Sequence, residues 1–169
     1  MTQSAEQQLK DQMRTAMRRL AQSVTIISSS NGRERFAMAA TAVNSLSTEP
    51  PSLLVCVNRS AAMHGPLSEG NDFCVNILGR EQEELSVACG GKLRGEDRFS
   101  AGNWAISDAG TPYLNDAQAS LLCSQDGAID YGTHTIFIGR IKEIRNTAEI
   151  DPLIYLDGAY TTSAAMETA

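Results

Sequence analysis

The sequence predicts a mainly β protein: an antiparallel sheet closed into a barrel, with a few helices packed outside it. Short β-branched runs alternate with turn signals along most of the 169 residues. Two of these runs, 119–129 and 133–144, are long and follow each other with no helix between them. Because a doubly wound sheet needs a helix between successive strands, this pattern favours the antiparallel arrangement.

Composition and charge indicate one domain over residues 1–169. The chain is 42% hydrophobic and 20% charged, which is ordinary for a globular protein of this length. Its net charge of −6 argues against general binding to nucleic acid or to an anionic membrane surface, since both need a basic face. The polar N-terminus lacks a secretory pattern, and no apolar run reaches the length of a membrane helix.

Cysteine and histidine usage predicts a reducing compartment and no metal site. The four cysteines are widely spaced, with no Cys-x-x-Cys pair: Cys56, Cys74, Cys89 and Cys123. Thiols of this kind pack as small hydrophobes, so we expect no disulfide framework and a cytoplasmic location. Only His64 and His134 are present, without the clustering that zinc ligands require.

The N-terminal half predicts a helix and a hairpin, followed by two further strands and two short helices. Apolar residues at intervals of three and four from Glu6 to Leu20 predict an amphipathic helix over about 6–20. The β-branched run 24–27 reads as a strand, and Asn31-Gly32 suits a tight turn from which 36–45 returns. After the break at Pro50-Pro51, the sequence predicts strands at 52–58 and 73–78 and short helices at 61–70 and 82–89.

The C-terminal half predicts a long hairpin. Gly90-Gly91 would end the second short helix, and the Gly-, Asp- and Pro-rich stretch 92–116 is expected to be irregular. The strands 119–129 and 133–144 are joined at Tyr131-Gly132. A last strand at 153–156 and a loose tail over about 163–169 complete the prediction.

Three segments carry the residue types of a ligand site. Small residues and hydroxyls follow one another from Ala39 to Ser45, and small side chains let backbone groups approach a flat ligand. The strand 52–58 ends in hydrogen-bond donors at Asn58, Arg59 and Ser60, and Gly132-Thr133-His134 opens a strongly apolar strand. Taken one at a time, each segment is also compatible with a packing or strand-ending role.

Together, in this order and at these separations, the three segments resemble the short-chain flavin reductase family. The closest similarity is to reductase components of two-component flavin-dependent monooxygenases that act on aromatic substrates. The resemblance extends from about Arg14 to Tyr160 and rests on the segments 40–47, 50–58, 73–78, 98–99, 131–139 and 152–155.

The resemblance implies a flavin-binding split barrel, antiparallel and Greek-key-like, with a few peripheral helices. It implies a homodimer with flavin near the subunit interface, hydride transfer from NADH or NADPH to FMN or FAD, and a separate monooxygenase that receives the reduced flavin. The segments 39–45 and 56–58 would border the isoalloxazine, with Ser45, Arg59 and Ser60 at the phosphate end. The implied cofactor-binding residues are Ala39, Thr41, Ala42, Val43, Asn44, Ser45, Cys56, Val57, Asn58, Arg59, Ser60, Phe99 and His134.

His134 matches the histidine that sits beside the nicotinamide in such reductases, which is the catalytic position. Many relatives have Gly-Asp-His where this chain has Gly132-Thr133-His134. Threonine keeps a hydrogen-bonding group but loses the charge that would favour an imidazolium. We therefore expect His134 to act by stacking or hydrogen bonding.

Two alternatives remain open at the level of sequence. A non-catalytic flavin-binding module of the same fold would bind flavin without consuming NAD(P)H. An oxidase similar to the pyridoxamine-phosphate enzymes would need a basic pocket, for which Arg59, Arg94 and Arg98 are available. The sequence does not decide between FMN and FAD, between NADH and NADPH, or among oxygenase partners.

Overall fold

Antiparallel pairing of the β-branched runs dominates the computed structural model, which describes residues 4–147 and 149–164. The α-helices are α1 (Ala5–Met17), α2 (His64–Ser68) and α3 (Glu83–Val87). The strands are β1 (Gln22–Ser23), β2 (Thr25–Ser30), β3 (Arg35–Ala40), β4 (Val43–Thr48), β5 (Pro51–Asn58), β6 (Phe73–Ile77), β7 (Trp104–Ile106), β8 (Pro112–Leu114), β9 (Ala119–Tyr131), β10 (His134–Asn146), β11 (Leu153–Leu156) and β12 (Ala159–Thr162). The prediction of a mainly β, antiparallel protein with few helices is confirmed.

The main sheet has seven strands in the order β3-β2-β6-β9-β10-β5-β4. Its two outermost strands, β3 and β4, are consecutive in the chain and are linked only by Thr41 and Ala42. This link, which we call the corner, brings the two edges of the sheet together. All seven strands contribute side chains to one core cluster that includes Ile27, Val55 and Phe137, so the sheet encloses a barrel interior.

A second core cluster lies outside the barrel wall, on β2 and β3. Ile26 and Ala37 point away from the barrel interior, are fully buried, and pack with Leu85 of α3 and with Leu114 of β8. We call this side of the wall the covered face. The small sheets β1-β11-β12 and β7-β8 flank it.

In the long hairpin β9–β10, the turn lies one residue later than the predicted Tyr131-Gly132. Tyr131 pairs with His134, so Gly132 and Thr133 form a two-residue turn, in which Gly132 has φ +56°. Further along β10, a Cβ at Gly139 would lie 2.5 Å from the ring of Phe73. Glycine is therefore required there by close packing of the barrel interior.

Several sequence predictions need correction. The predicted strand 36–45 is two strands, because the chain turns from one sheet edge to the other at the corner. The helix predicted over 6–20 is Ala5–Met17; Ser4 caps it, and none of its side chains is buried. The stretch 92–116, predicted to be irregular, contains a 3₁₀ turn at Gly95–Phe99 and the strands β7 and β8. The strands β1 and β12 were not predicted.

The other predicted helices are shorter than expected. The segment 61–70 is helical only over α2. The segment 82–89 contains α3, which follows a 3₁₀ turn and is followed by a π-helical turn at Ala88–Lys92, where Gly91 has φ +128°. Within the described residues, every helix is too short or too polar to span a lipid bilayer. Of the predicted loose tail, residues 165–169 lie outside the described residues.

Candidate functional site

Alternation along β5 and β10 gives this part of the barrel wall two faces. Val55, Val57 and Phe137 point into the barrel interior and are fully buried. The residues between them point outward, and α3 does not cover them. We call this set the open face: Leu54, Cys56 and Asn58 on β5, paired with Ile138, Ile136 and His134 on β10.

The corner lies directly beside the open face. The Cys56 backbone N–H donates to the Ala42 carbonyl at 3.0 Å, and Asn44 pairs with Leu54 across β4 and β5. Because Val43 packs into the barrel interior, its neighbours Ala42 and Asn44 extend the open face onto β4. The small side chain of Ala42 keeps the backbone accessible at this edge.

The end of β5 forms a tight turn at Asn58–Ser60. The Asn58 Oδ1 accepts hydrogen bonds from the Ser60 backbone N–H at 2.9 Å and from the Ser60 hydroxyl at 2.8 Å. The Arg59 backbone N–H donates to the Thr133 carbonyl at 3.0 Å, so the turn is fastened to the β9–β10 hairpin. The Ser60 hydroxyl proton is thus engaged within the turn, which makes Arg59 the main donor that a phosphate would meet.

The Arg59 guanidinium stays partly accessible. Its Nη2 lies 3.6 Å from Asp130 Oδ2, and the two side chains are 47% and 68% exposed. An exposed pair of this length contributes little to stability. Its consequence is orientation: the carboxylate holds the cation at the hairpin end of the barrel wall, on the side that Thr135 faces.

His134 begins β10, opposite Asn58, and is exposed. The Thr133 hydroxyl lies 2.9 Å from His134 Nδ1, so threonine does supply the hydrogen bond expected from it. This contact engages Nδ1 and leaves Nε2 as the ring nitrogen for a ligand. The role of His134 itself stays a prediction.

The other predicted residues of the corner region face elsewhere. Thr41, Val43 and Ser45 line a cavity of about 470 Å³ at the mouth of the barrel, to which Asn44 also contributes, together with apolar side chains of the interior such as Leu53. Val57 is fully buried, so only its backbone could border a ligand. The structure therefore separates these side chains from the open face, although they lie on the corner, β4 and β5, which also carry open-face residues.

Ala39 and Phe99 lie on the covered face. Ala39 packs below the turn that follows α3, where a Cβ at Gly90 would be 3.9 Å from its methyl group. The Phe99 ring packs against Trp104 at 4.7 Å between centroids, and the Arg35 guanidinium lies 4.2 Å above it. The structure does not bring these two side chains together with Cys56 or His134.

Comparison with known proteins shows the family of this chain. Residues 17–164 match the family described as flavin reductase like domain. The chain belongs to this family.

Its flavin reductase relatives match along nearly their whole lengths. The reductase component of an FADH2-dependent resorcinol hydroxylase from Rhizobium sp. is 41% identical over 89% of this chain and 86% of the relative. The FMN reductase (NADH) RutF of Agrobacterium fabrum is 39% identical over 94% and 91%. The crystal structure of BorF, the flavin reductase component of a bacterial two-component tryptophan halogenase, superposes with a TM-score of 0.84 at 30% identity and covers 93% of this chain and 99% of BorF.

The cysteines of this flavin reductase are free thiols, and only Cys56 is accessible. Burial raises the pKa of Cys89 to about 11 and of Cys123 to about 12, and it raises the pKa of Cys74 further. These three thiols stay protonated and unreactive near neutral pH. Cys56, half-buried on the open face, is the thiol that a ligand there would contact.

Of the three arginines of the oxidase alternative, Arg94 is exposed, and Arg59 and Arg98 are engaged in different places. Arg59 faces Asp130, whereas Arg98 donates to the carbonyls of Leu93 at 2.9 Å and Ala37 at 2.6 Å. A guanidinium held by backbone carbonyls serves the fold of the covered face. The structure therefore offers no observation that favours a substrate-phosphate pocket built from these residues.

The sequence missed Asp130, which pairs with Arg59. The two residues are far apart in the chain, and no spacing pattern connects them. The only signal is position: Asp130 stands just before the hairpin turn, next to the predicted segment Gly132–His134.

Proposed function

We propose that this protein is an NAD(P)H-dependent flavin reductase whose flavin lies along the edge of the open face. The main support is a continuous series of contacts between the corner, the end of β5 and the β9–β10 hairpin. The corner bonds to Cys56, Asn58 pairs with His134, and Arg59 bonds to Thr133. Three segments distant in sequence thus form one strip on the barrel wall.

The donor set of this strip fits a flavin. Ala42 and Cys56 are small enough to let a flat ring approach the backbone, and Asn58 and Asn44 offer amide groups to its polar edge. The partly exposed Arg59 is suited to a phosphate at the end of the strip. From the corner to the Asn58–Ser60 turn, the strip thus has an apolar part for the flavin ring and a cationic end for the phosphate.

The chain has to position two cofactors rather than supply a base. Hydride passes from nicotinamide C4 to flavin N5, so the cofactors carry the chemistry. His134 would hold the nicotinamide through Nε2, while Thr133 fixes the imidazole through Nδ1. The open face would hold the flavin ring at stacking distance, and such positioning can contribute several kcal/mol to catalysis.

Reduced flavin made here is supplied to a separate monooxygenase. One relative is named as the reductase component of an FADH2-dependent resorcinol hydroxylase, and BorF is named as the flavin reductase component of a two-component tryptophan halogenase. A relative named FMN reductase (NADH) makes NADH the first donor to test. The four free cysteines support the cytoplasm as the compartment.

The activity is tested by following NADH and NADPH oxidation by purified protein with FMN, FAD or riboflavin added in turn. Flavin-dependent oxidation is expected, and it identifies both preferred cofactors. Thr15→Ala, on the exposed side of α1, is the matched control and should be as active as wild type. Flavin binding without oxidation of either nucleotide would contradict the proposal and favour the non-catalytic flavin-binding module.

We further propose that a second copy of the chain covers the apolar part of the open face. Ile136, Ile138 and Leu54 form its centre, and Ile129 and Tyr131 extend it onto β9 with exposed fractions of 56% and 82%. Apolar patches of this kind are typical of subunit interfaces. A homodimer would place the flavin strip at the margin of that interface.

Light scattering of wild type and Ile136→Arg tests the dimer. We expect a dimer for wild type and a monomer for the variant, because a buried unpaired charge is costly. Arg33→Ala, in an exposed turn away from the open face, should stay dimeric. A monomeric wild type would overturn the dimer without affecting the reductase assignment.

A further inference from the structure

A row of hydrogen-bonded side chains runs from the exposed hairpin end, through buried Thr135, to exposed Ser68 on α2. The Thr135 hydroxyl lies 2.6 Å from Asp130 Oδ1 and 2.9 Å from His64 Nε2, and the Ser68 hydroxyl lies 3.2 Å from His64 Nδ1. We call Asp130, Thr135, His64 and Ser68 the polar row. It connects β9, β10 and α2, three elements that are distant in sequence.

The direction of each hydrogen bond in the row follows from its first member. A carboxylate only accepts, so the single hydroxyl proton of Thr135 is donated to Asp130. Thr135 can then only accept from His64, which places a proton on His64 Nε2. A neutral His64 consequently accepts at Nδ1 from the Ser68 hydroxyl, and its tautomer is fixed.

Burial makes the row rigid. Thr135 is 2% exposed, and it pairs with fully buried Val57 on β5. The His64 ring packs edge-on against Phe137, with 5.5 Å between ring centroids. A buried hydroxyl without partners would be costly, so Thr135 and its two partners hold one another in place.

The row reaches the proposed flavin strip through Asp130. One carboxylate oxygen accepts from Thr135, and the other faces the Arg59 guanidinium. Asp130 is itself exposed on the strand end, so its link to buried Thr135 is what restricts its rotation. The guanidinium is thereby oriented from inside the barrel rather than by surface contacts alone.

We propose that Asp130 and Thr135 are positioning residues that aim Arg59 at the flavin phosphate, with His64 fixing Thr135 from behind. This rests on the proposed function, in which Arg59 lies at the phosphate end of the strip. FMN carries that phosphate and riboflavin does not. The row should therefore affect the use of FMN and leave the use of riboflavin unchanged.

Thr135→Val, Thr135→Ser and Asp130→Asn separate the links of the row. Valine removes the hydroxyl, serine keeps it, and asparagine keeps an acceptor for Thr135 but removes the charge that faces Arg59. We expect Thr135→Val and Asp130→Asn to raise the KM for FMN about three- to tenfold, the loss of roughly one hydrogen bond. Their kcat and their KM for riboflavin should not change, and Thr135→Ser should behave as wild type.

If the KM for FMN does not change as expected, Arg59→Ala shows which assumption is wrong: the phosphate role of Arg59 or the positioning role of Thr135 and Asp130. Should it leave the preference for FMN over riboflavin intact, the phosphate assignment of Arg59 fails, while NADH oxidation by wild type still supports the reductase. If Arg59→Ala abolishes the preference but Thr135→Val and Asp130→Asn do not, the positioning role is overturned. A rise in the KM for both flavins alike, or a lower kcat in a folded variant, would mean that more than the phosphate contact is lost, and it would also overturn that role.

The ring nitrogens of His64 give a readout independent of activity. Nitrogen NMR of the wild-type protein should show neutral His64 protonated at Nε2, and Thr135→Ser should keep this tautomer. Protonation at Nδ1 alone would contradict the direction of the row. Exposed Asp130→Asn also keeps the test meaningful if Thr135→Val fails to fold, because it leaves the buried hydroxyl in place.

Discussion

The barrel wall has two outward sides that the chain treats differently. On the covered face, Ile26 and Ala37 are sealed beneath α3 and are fully buried. On the open face, Ile136 and Cys56 point outward from equally regular strands but remain only half-buried. The chain therefore completes its own hydrophobic core on one side and leaves apolar surface partly exposed on the other, where we propose that flavin and a second copy bind.

Truncation of a covered residue should give the largest effect. Ile26→Ala removes a fully buried side chain, and we expect the free energy of unfolding to fall by about 2–5 kcal/mol. Ile136→Ala makes the same change on the open face and should cost less than half as much. Urea denaturation of both variants, at high and low protein concentration, measures the difference.

The dependence on concentration sharpens this comparison. If a second copy covers the open face, the cost of Ile136→Ala grows with protein concentration, whereas the cost of Ile26→Ala stays constant. Equal losses at every concentration would show that the two faces are equally packed within one chain.

Loss of the His134 ring should have a moderate effect that is confined to the nucleotide. His134→Ala should raise the KM for NADH about three- to tenfold, since one positioning hydrogen bond is removed, with kcat largely retained. Thr133→Val keeps the ring but removes the contact to Nδ1, and it should change the KM less. Steady-state kinetics with saturating flavin measure both. Unchanged kinetics in His134→Ala would remove this residue from the site.

The smallest effect should appear in the chemistry of a single thiol. A thiol reagent at neutral pH should label only Cys56 in the flavin-free protein, because the other three thiols are buried with raised pKa values. Saturating FMN should slow this labelling. Cys56→Ser should show no fast labelling; fast labelling that survives this substitution would mean that a covered thiol is accessible.

The fold was predictable wherever local pattern and final pairing agree. The long hairpin β9–β10 and the strand β5 carry their own alternation and turn signals, and both appear close to where the sequence places them, with the hairpin turn one residue later than predicted. The split of 36–45 was not predictable, because Ala39, Ala40, Thr41 and Ala42 contain no turn residue. Closure of the barrel forces the chain to change direction there.

The candidate site was predictable as segments, but its grouping was not. Residue types alone singled out Asn58–Ser60 and Thr133-His134, and the β5–β10 register brings these together. Ala39 lies on the covered face because β3 alternates, and Phe99 packs there from the 3₁₀ turn Gly95–Phe99; the sequence does not indicate which side of the wall becomes covered. Asp130 and His64 act through contacts between distant elements, which leave no local pattern.

The corner has a consequence for how the length of this protein can change. Most surface loops tolerate inserted residues, and the turn at Asn31-Gly32, exposed at the end of β2 and β3, is one of these. Thr41 and Ala42 form a link of two residues, against the four of 31–34, and they join opposite edges of a seven-stranded sheet and border the proposed flavin strip. An inserted residue there would disturb the closure of the barrel between β3 and β4. It would at the same time displace the backbone that borders the proposed flavin strip. We therefore expect natural insertions to accumulate at the first turn and the spacing at the corner to stay fixed.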